Sequence, residues 1–143
     1  MVTTAVNAVG PVIRFSDSDT VSGFDLITLR KDVGVGGVYL TAGPLVVLNA
    51  CETGGSTVPT DKFSLQEAFF GLGAQGIVVT EAPVWTSLAH VVGTKLIERL
   101  GKGDSADDAM TAIRRELVKE GSNPLGLLYA YYGNPAVSLP RSH

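Results

Sequence analysis

The sequence predicts an α/β fold, a mostly parallel sheet flanked by helices, and three observations lead there. Two short apolar runs, Leu45–Ala50 and Gly76–Thr80, are each bounded by turn-forming residues. A capped helical segment lies between them. Two further amphipathic helical patterns follow, closed by glycines and a last apolar run. Strand, helix and strand in this order make a βαβ unit, right-handed by default.

The elements are justified in chain order. Val12–Phe15 and Leu26–Leu29 each read as a short strand, separated by the turn-forming "SDSD". "KDVGVGGVYLTAG" reads as loop. Leu45–Ala50 follows Gly43-Pro44 and has no polar alternation, the mark of a strand buried on both faces. Ser64 and Glu67 form an S-x-x-E capping box that opens the helix "SLQEAFFGLGA". "GIVVT", Gly76–Thr80, is the second buried strand. Leu88, Val92, Leu96 and Leu100 stand four apart in a helix from about Thr86 to Leu100, ended by Gly101 and Gly103. Ser105 caps the next helix, with Asp107 and Asp108 in its first turn and Ala109, Ile113 and Leu117 on its apolar stripe. "NPLGLLYAYYG" gives a turn and a last strand, and residues 134–143 read as an irregular tail.

With 143 residues the chain is read as one domain, able to bury about two-thirds of its unfolded surface. Its 45% hydrophobic content, 17% charged content and mean hydropathy of +0.25 indicate a core-rich globular protein. No apolar run has membrane-spanning length, and the N-terminus lacks the basic region of a secretion signal. Eleven thinly spread basic residues and a net charge of −3 give no nucleic-acid footprint. Neither membrane nor nucleic acid is expected as a partner. One cysteine rules out an internal disulfide and a multi-cysteine metal site, and a reducing cytoplasm fits it best.

That cysteine, Cys51, is the first candidate for chemistry. In open α/β sheets, ligands gather beyond the carboxyl ends of the parallel strands. Cys51 stands at that end of its strand, and Glu81 stands at the equivalent end of the next. Glu52, Thr53, Gly54 and Gly55 form a loop able to bring backbone N–H groups close to a bound carbonyl. The residues alone allow two readings of Cys51: an activated nucleophile, which needs a histidine, helix N-terminus or basic neighbour, or a small buried structural residue.

"PLVVLNACETGG" resembles the cysteine motif of the CHAT family, caspase-like domains related to caspases, separases and gingipains. The likeness continues in register through "SLQEAFFGLGAQGIVVTEAPV", "LIERLGKGDSADDAMTAIRREL" and "NPLGLLYAYYGNPAVSL", about Thr28 to Leu139. It implies a caspase-like three-layer sandwich and, in active members, cysteine endopeptidase chemistry on a peptide or protein substrate without a cofactor. Cys51 would be the nucleophile, with Gly54 and Gly55 holding the oxyanion. Glu81 and Trp85 are candidates for a substrate pocket, Glu81 facing a basic side chain before the cut. Each also has a plainer reading, Glu81 as a helix-cap anion and Trp85 as packing at a helix start.

The resemblance also exposes a gap. Active members carry a His-Gly pair before the cysteine, and the matching window, Met1 to about Ser16, has no histidine. Val9-Gly10 stands at that place, or else Pro11 onward matches the segment after the pair and the N-terminal part of the fold is missing or degenerate. The two histidines present are His90, on the flank of a helical stripe, and His143, the last residue. The chain is therefore either a peptidase domain that takes its histidine from elsewhere or a catalytically inactive binding and assembly module. A flavodoxin-like binding domain with a structural cysteine is the weaker third reading. Where the N-terminal part is missing, the Leu45–Ala50 strand loses a neighbour, leaving an apolar edge that needs cover. The chain's own N-terminus, a second copy, a missing N-terminal half or a partner chain would supply it.

The remaining motifs are plainer. Gly34, Gly36 and Gly37 lack the spacing and the strand-to-helix context of a phosphate loop. Asp17, Asp19 and Asp25 match no calcium loop and read as a solvated turn. Tyr129, Tyr131 and Tyr132 read as strand and core residues. No metal site is expected.

Overall fold

The computed structural model describes residues 3–7, 10–14, 19–32, 40–49, 65–119 and 123–139. In chain order the elements are β1 (Thr3–Asn7), β2 (Gly10–Arg14), β3 (Thr20–Ser22), α1 (Gly23–Asp32), β4 (Leu45–Val47), α2 (Leu65–Leu72), β5 (Gly76–Thr80), α3 (Thr86–Gly101), α4 (Ala106–Lys119), a 3-10 turn (Pro124–Leu128) and β6 (Tyr129–Gly133). The strands form two sheets, β1-β2-β3 and β4-β5-β6.

β5 is the centre of the second sheet. It pairs in parallel with β4, Val46 opposite Ile77, and antiparallel with β6, Thr80 opposite Tyr129. All five of its residues are buried. Successive strand side chains face opposite ways. Ile77 and Val79 accordingly pack with Phe69 of α2 and Leu40 on one face, while Val78 joins the α3 and α4 cluster on the other. The uninterrupted apolar run is thus the signature of a strand covered twice.

The expected βαβ unit is present as β4, α2 and β5. The α/β class holds, but the described sheet is mixed rather than mostly parallel, because β6 runs antiparallel. The cause is local. The 3-10 turn places the Leu128 carbonyl 2.8 Å from the Glu81 N–H, so β6 begins beside the end of β5 and must run back along it.

α3 buries Leu88, Val92, Leu96 and Leu100, the predicted stripe. α4 buries Ala106, Ala109, Met110 and Ile113 against them. Each large apolar side chain so buried stabilises the fold by about 1.5–3 kcal/mol before entropy is counted. Ser105 caps α4 as expected: its Oγ accepts from the Asp108 N–H at 3.2 Å and donates to the Asp108 carboxylate at 2.8 Å. On the outer side Lys95 pairs with Glu116, and Arg99 with Asp104 at 3.2 Å. The Lys95 ammonium holds the Glu116 carboxyl below its usual range. The tail is irregular through Leu139 but pinned, since Asn134 N–H reaches Gln75 O at 2.9 Å and Ala106 N–H reaches Val137 O at 2.7 Å.

The N-terminal region departs from expectation at one element. Leu26–Leu29 is not a strand; it lies inside α1. Ser22 and Asp25 explain the difference. Asp25 accepts from Ser22 N–H at 2.8 Å and Oγ–H at 2.7 Å, while Ser22 Oγ accepts from Asp25 N–H at 3.1 Å. This reciprocal cap satisfies the Asp25 N–H, one of the free donors of the first helical turn, and the Ser22 N–H just before it. It outweighs the strand preference of "LITL", and Thr28 bonds back to the Phe24 carbonyl within the helix. Asp25 is therefore a capping residue, and these bonds hold its carboxyl below the ordinary value. The other predicted N-terminal strand is present as β2, beginning at Gly10. Ile13 and Leu26 join Leu65, Ala68 and Leu72, tying the first sheet and α1 to α2.

Candidate active site at the carboxyl ends of the parallel strands

Because β4 and β5 are parallel and in register, they end at the same rim of the sheet. β4 is shorter than the predicted Leu45–Ala50, but its ladder continues one residue further through Leu48 N–H to Val78 O at 2.8 Å. Beyond β5 comes Glu81. β6 starts at this rim with Tyr129.

Asn49 closes the β4 side. Its Nδ2 donates to the Ala89 carbonyl of α3 at 2.7 Å. Its Oδ1 accepts from the Tyr129 O–H at 2.7 Å, from a side chain that is 2% exposed. One carboxamide thus joins the end of β4 to a helix and to the strand on the far side of β5. Gly93 makes room for it. A Cβ there would stand 3.0 Å from Asn49 Nδ2, and a glycine inside a helix otherwise costs about 1 kcal/mol relative to alanine.

Glu81 is exposed, and its carboxylate accepts from the Tyr132 O–H at 2.7 Å, on the β6 side of β5. That bond to an anion raises the Tyr132 phenol above its ordinary value, helped by partial burial. Trp85 stands at the N-cap of α3 and is 72% exposed, with Val84 buried just before it. His90 is exposed on α3, next to the carbonyl that Asn49 binds. Cys51, Gly54, Gly55 and His143 lie outside the described residues. Among the described residues no group of three or more His, Cys, Asp or Glu side chains is arranged to hold a metal ion. No described helix is long and apolar enough to cross a membrane. A shallow cleft of about 480 Å³ between Ser105, Asp107, Pro135 and Ser138 lies at the other end of the sheet, past the end of β6.

A protein-family model, the CHAT domain, matches residues 6–135. The chain belongs to the CHAT domain family. The match spans Cys51, Gly54, Gly55, Glu81, Trp85 and His90, and leaves His143 beyond its end. No curated protein matches the chain.

Within this CHAT domain, sequence reasoning missed Asn49, Gly93 and the hydroxyl of Tyr129 as rim residues. Two signals were available. Asn49 is a polar residue ending an apolar run, and Gly93 interrupts an otherwise regular helix. Each is a local inconsistency of the kind that marks a packing or positioning role.

Proposed function

We propose that the chain is the cysteine-bearing part of a caspase-like CHAT endopeptidase, built as a three-layer sandwich and working in the cytoplasm, with Cys51 as its nucleophile. The observation that carries this is the shared ending of β4 and β5: the backbone leaves the ladder after Leu48, and the thiol follows Asn49 by two residues. In the reaction the thiolate sulfur adds to a peptide carbonyl carbon, and N–H groups of the Gly54-Gly55 loop hold the oxyanion. Collapse breaks the C–N bond, a histidinium gives its proton to the leaving amine, and water hydrolyses the thioester. Glu81 and Trp85 line the substrate side of the rim, and no cofactor takes part.

The histidine comes from a partner strand. Pro44 C=O and Leu48 N–H both face β5, so alternation turns the Val47 N–H to the other side. Among the described residues no strand lies beside β4 on that side, and β1 and β2 pair with each other instead. A histidine-bearing strand seated there would complete the dyad. Val47→Pro deletes only that outward N–H, which an edge strand tolerates. It is expected to leave the chain folded and to abolish partner binding, read by size-exclusion chromatography with light scattering.

The nucleophile is tested by the pH dependence of Cys51 alkylation, on chain purified from the cells that make it with bound partners retained. A half-maximal rate well below pH 7 is expected, since a cationic neighbour stabilises the thiolate. A midpoint near the free-thiol value of about 8.5 would instead identify a non-catalytic CHAT module that binds or assembles. The exposed position of His90, the one histidine inside the family match, favours that second reading if no partner is found.

A further inference from the structure

We infer that Arg114 closes the β6 margin of the second sheet to strand addition, and that a second copy of this chain is what it keeps out. The Leu128 carbonyl and the Asn134 N–H both face β5. Alternation therefore turns the backbone groups of Tyr129, Tyr131 and Gly133 to the open side. Tyr129 is occupied on that side. Its N–H bonds to the Gly126 carbonyl, and its C=O accepts from Arg114 Nε of α4 at 2.9 Å. At Gly133, φ is +131° and a Cβ would stand 2.4 Å from the Gln75 carbonyl oxygen, so the chain turns inward and the strand goes no further. Between these ends, the Tyr131 backbone and the Gly133 N–H have no partner among the described residues.

Those groups fit one occupant. In an antiparallel pair with its two-fold axis at Tyr131, the Tyr131 residues of two copies exchange both bonds, and each Gly133 N–H reaches for the other copy's Tyr129 carbonyl. That carbonyl is the one Arg114 holds, so the guanidinium stands where the incoming N–H has to come. Arg114 is not engaged by an acid: among the described residues it pairs with no carboxylate, whereas Lys95 and Arg99 on α3 both do. A charged side chain laid along an edge strand is a general means by which sheets avoid joining. The inference concerns the margin opposite β4 and stands whether or not Cys51 is a nucleophile.

Sedimentation equilibrium of the full chain over a concentration series tests this. Arg114→Met keeps the apolar stem and the helix propensity but loses the donor. It is expected to tighten self-association roughly tenfold or more, because the Tyr129 carbonyl of each copy is freed to accept. Arg114→Gln carries an amide nitrogen as many bonds from the backbone as Arg114 Nε, and should stay within about threefold of wild type. Tyr131→Pro removes an outward N–H, which an edge strand tolerates, and should cancel the Arg114→Met gain. Val47→Pro, on β4, should leave that gain in place. No gain in Arg114→Met, an equal gain in Arg114→Gln, or a gain cancelled by Val47→Pro and not by Tyr131→Pro overturns the inference. Amide hydrogen exchange at Tyr131 tests the wild type without any substitution. Its N–H should exchange at a rate independent of protein concentration, and a rate that slows as concentration rises means that the margin is open.

Discussion

β4 and β5 begin from similar sequence signals and end in different circumstances. Both are short apolar runs rich in valine. β5 has a strand on each edge and helices across both faces, and every residue is buried. β4 has one described neighbour, three ladder residues, and Val47 42% exposed. The same pattern therefore yields a core element in one place and a half-covered margin in the other. The difference teaches that the neighbours of a strand, rather than its composition, decide how much its burial stabilises. It also places the candidate chemistry beside the less committed strand.

The largest expected effect breaks the comparison at its strong end. Val79→Asp sets a carboxylate into a site that is fully buried, and without a partner it should cost several kcal/mol and abolish cooperative folding. Val47→Asp, on β4, should cost under about 1 kcal/mol by urea titration. Equal losses would mean that β4 is as enclosed as β5.

Next comes Leu96→Ala, which empties a core position against α4 and should cost about 3 kcal/mol by urea titration. Ile97→Ala, one residue along on the exposed face, should stay within about 0.5 kcal/mol. Ser22→Ala removes the α1 cap and should cost about 1 kcal/mol. Its pH dependence has a definite sign. The Asp25 carboxyl is lowered in the fold, so its contribution is present above the unfolded value of about 3.9 and is lost as pH falls through the lower folded value. Wild type should therefore lose part of its advantage over the Ser22→Ala variant in acid unfolding.

The smallest effect lies on the rim. Tyr132 is raised in the fold, so the contribution of its bond to Glu81 is present below the unfolded value of about 10 and fades as pH rises through the folded one. Glu81→Ala should bring the Tyr132 midpoint down toward 10 in an absorbance titration, with little change in stability.

Much of this was legible in the residues. The spacing of Leu88, Val92, Leu96 and Leu100, and the Ser105 cap, located α3 and α4 because helix periodicity and capping are local codes. β5 was found to the residue, since a strand covered on both faces leaves an unbroken apolar run. α1 escapes the sequence reading because its β-branched "LITL" reads as strand, while the signal that starts the helix, the Ser22–Asp25 cap just before it, is not part of that reading. The direction of β6 could not be read from its own sequence, because a bond between Glu81 and Leu128 sets it. The tie between Asn49 and Tyr129 spans eighty positions, and no local pattern announces a pairing of that range.

Trp85 supplies a last consequence. As the chain's sole tryptophan, exposed at the lip of α3, it alone should dominate the intrinsic fluorescence. Its emission should lie to the red and yield readily to acrylamide quenching. Whatever settles over this lip should shift that light to the blue, making the untagged chain an optical sensor of its own occupancy.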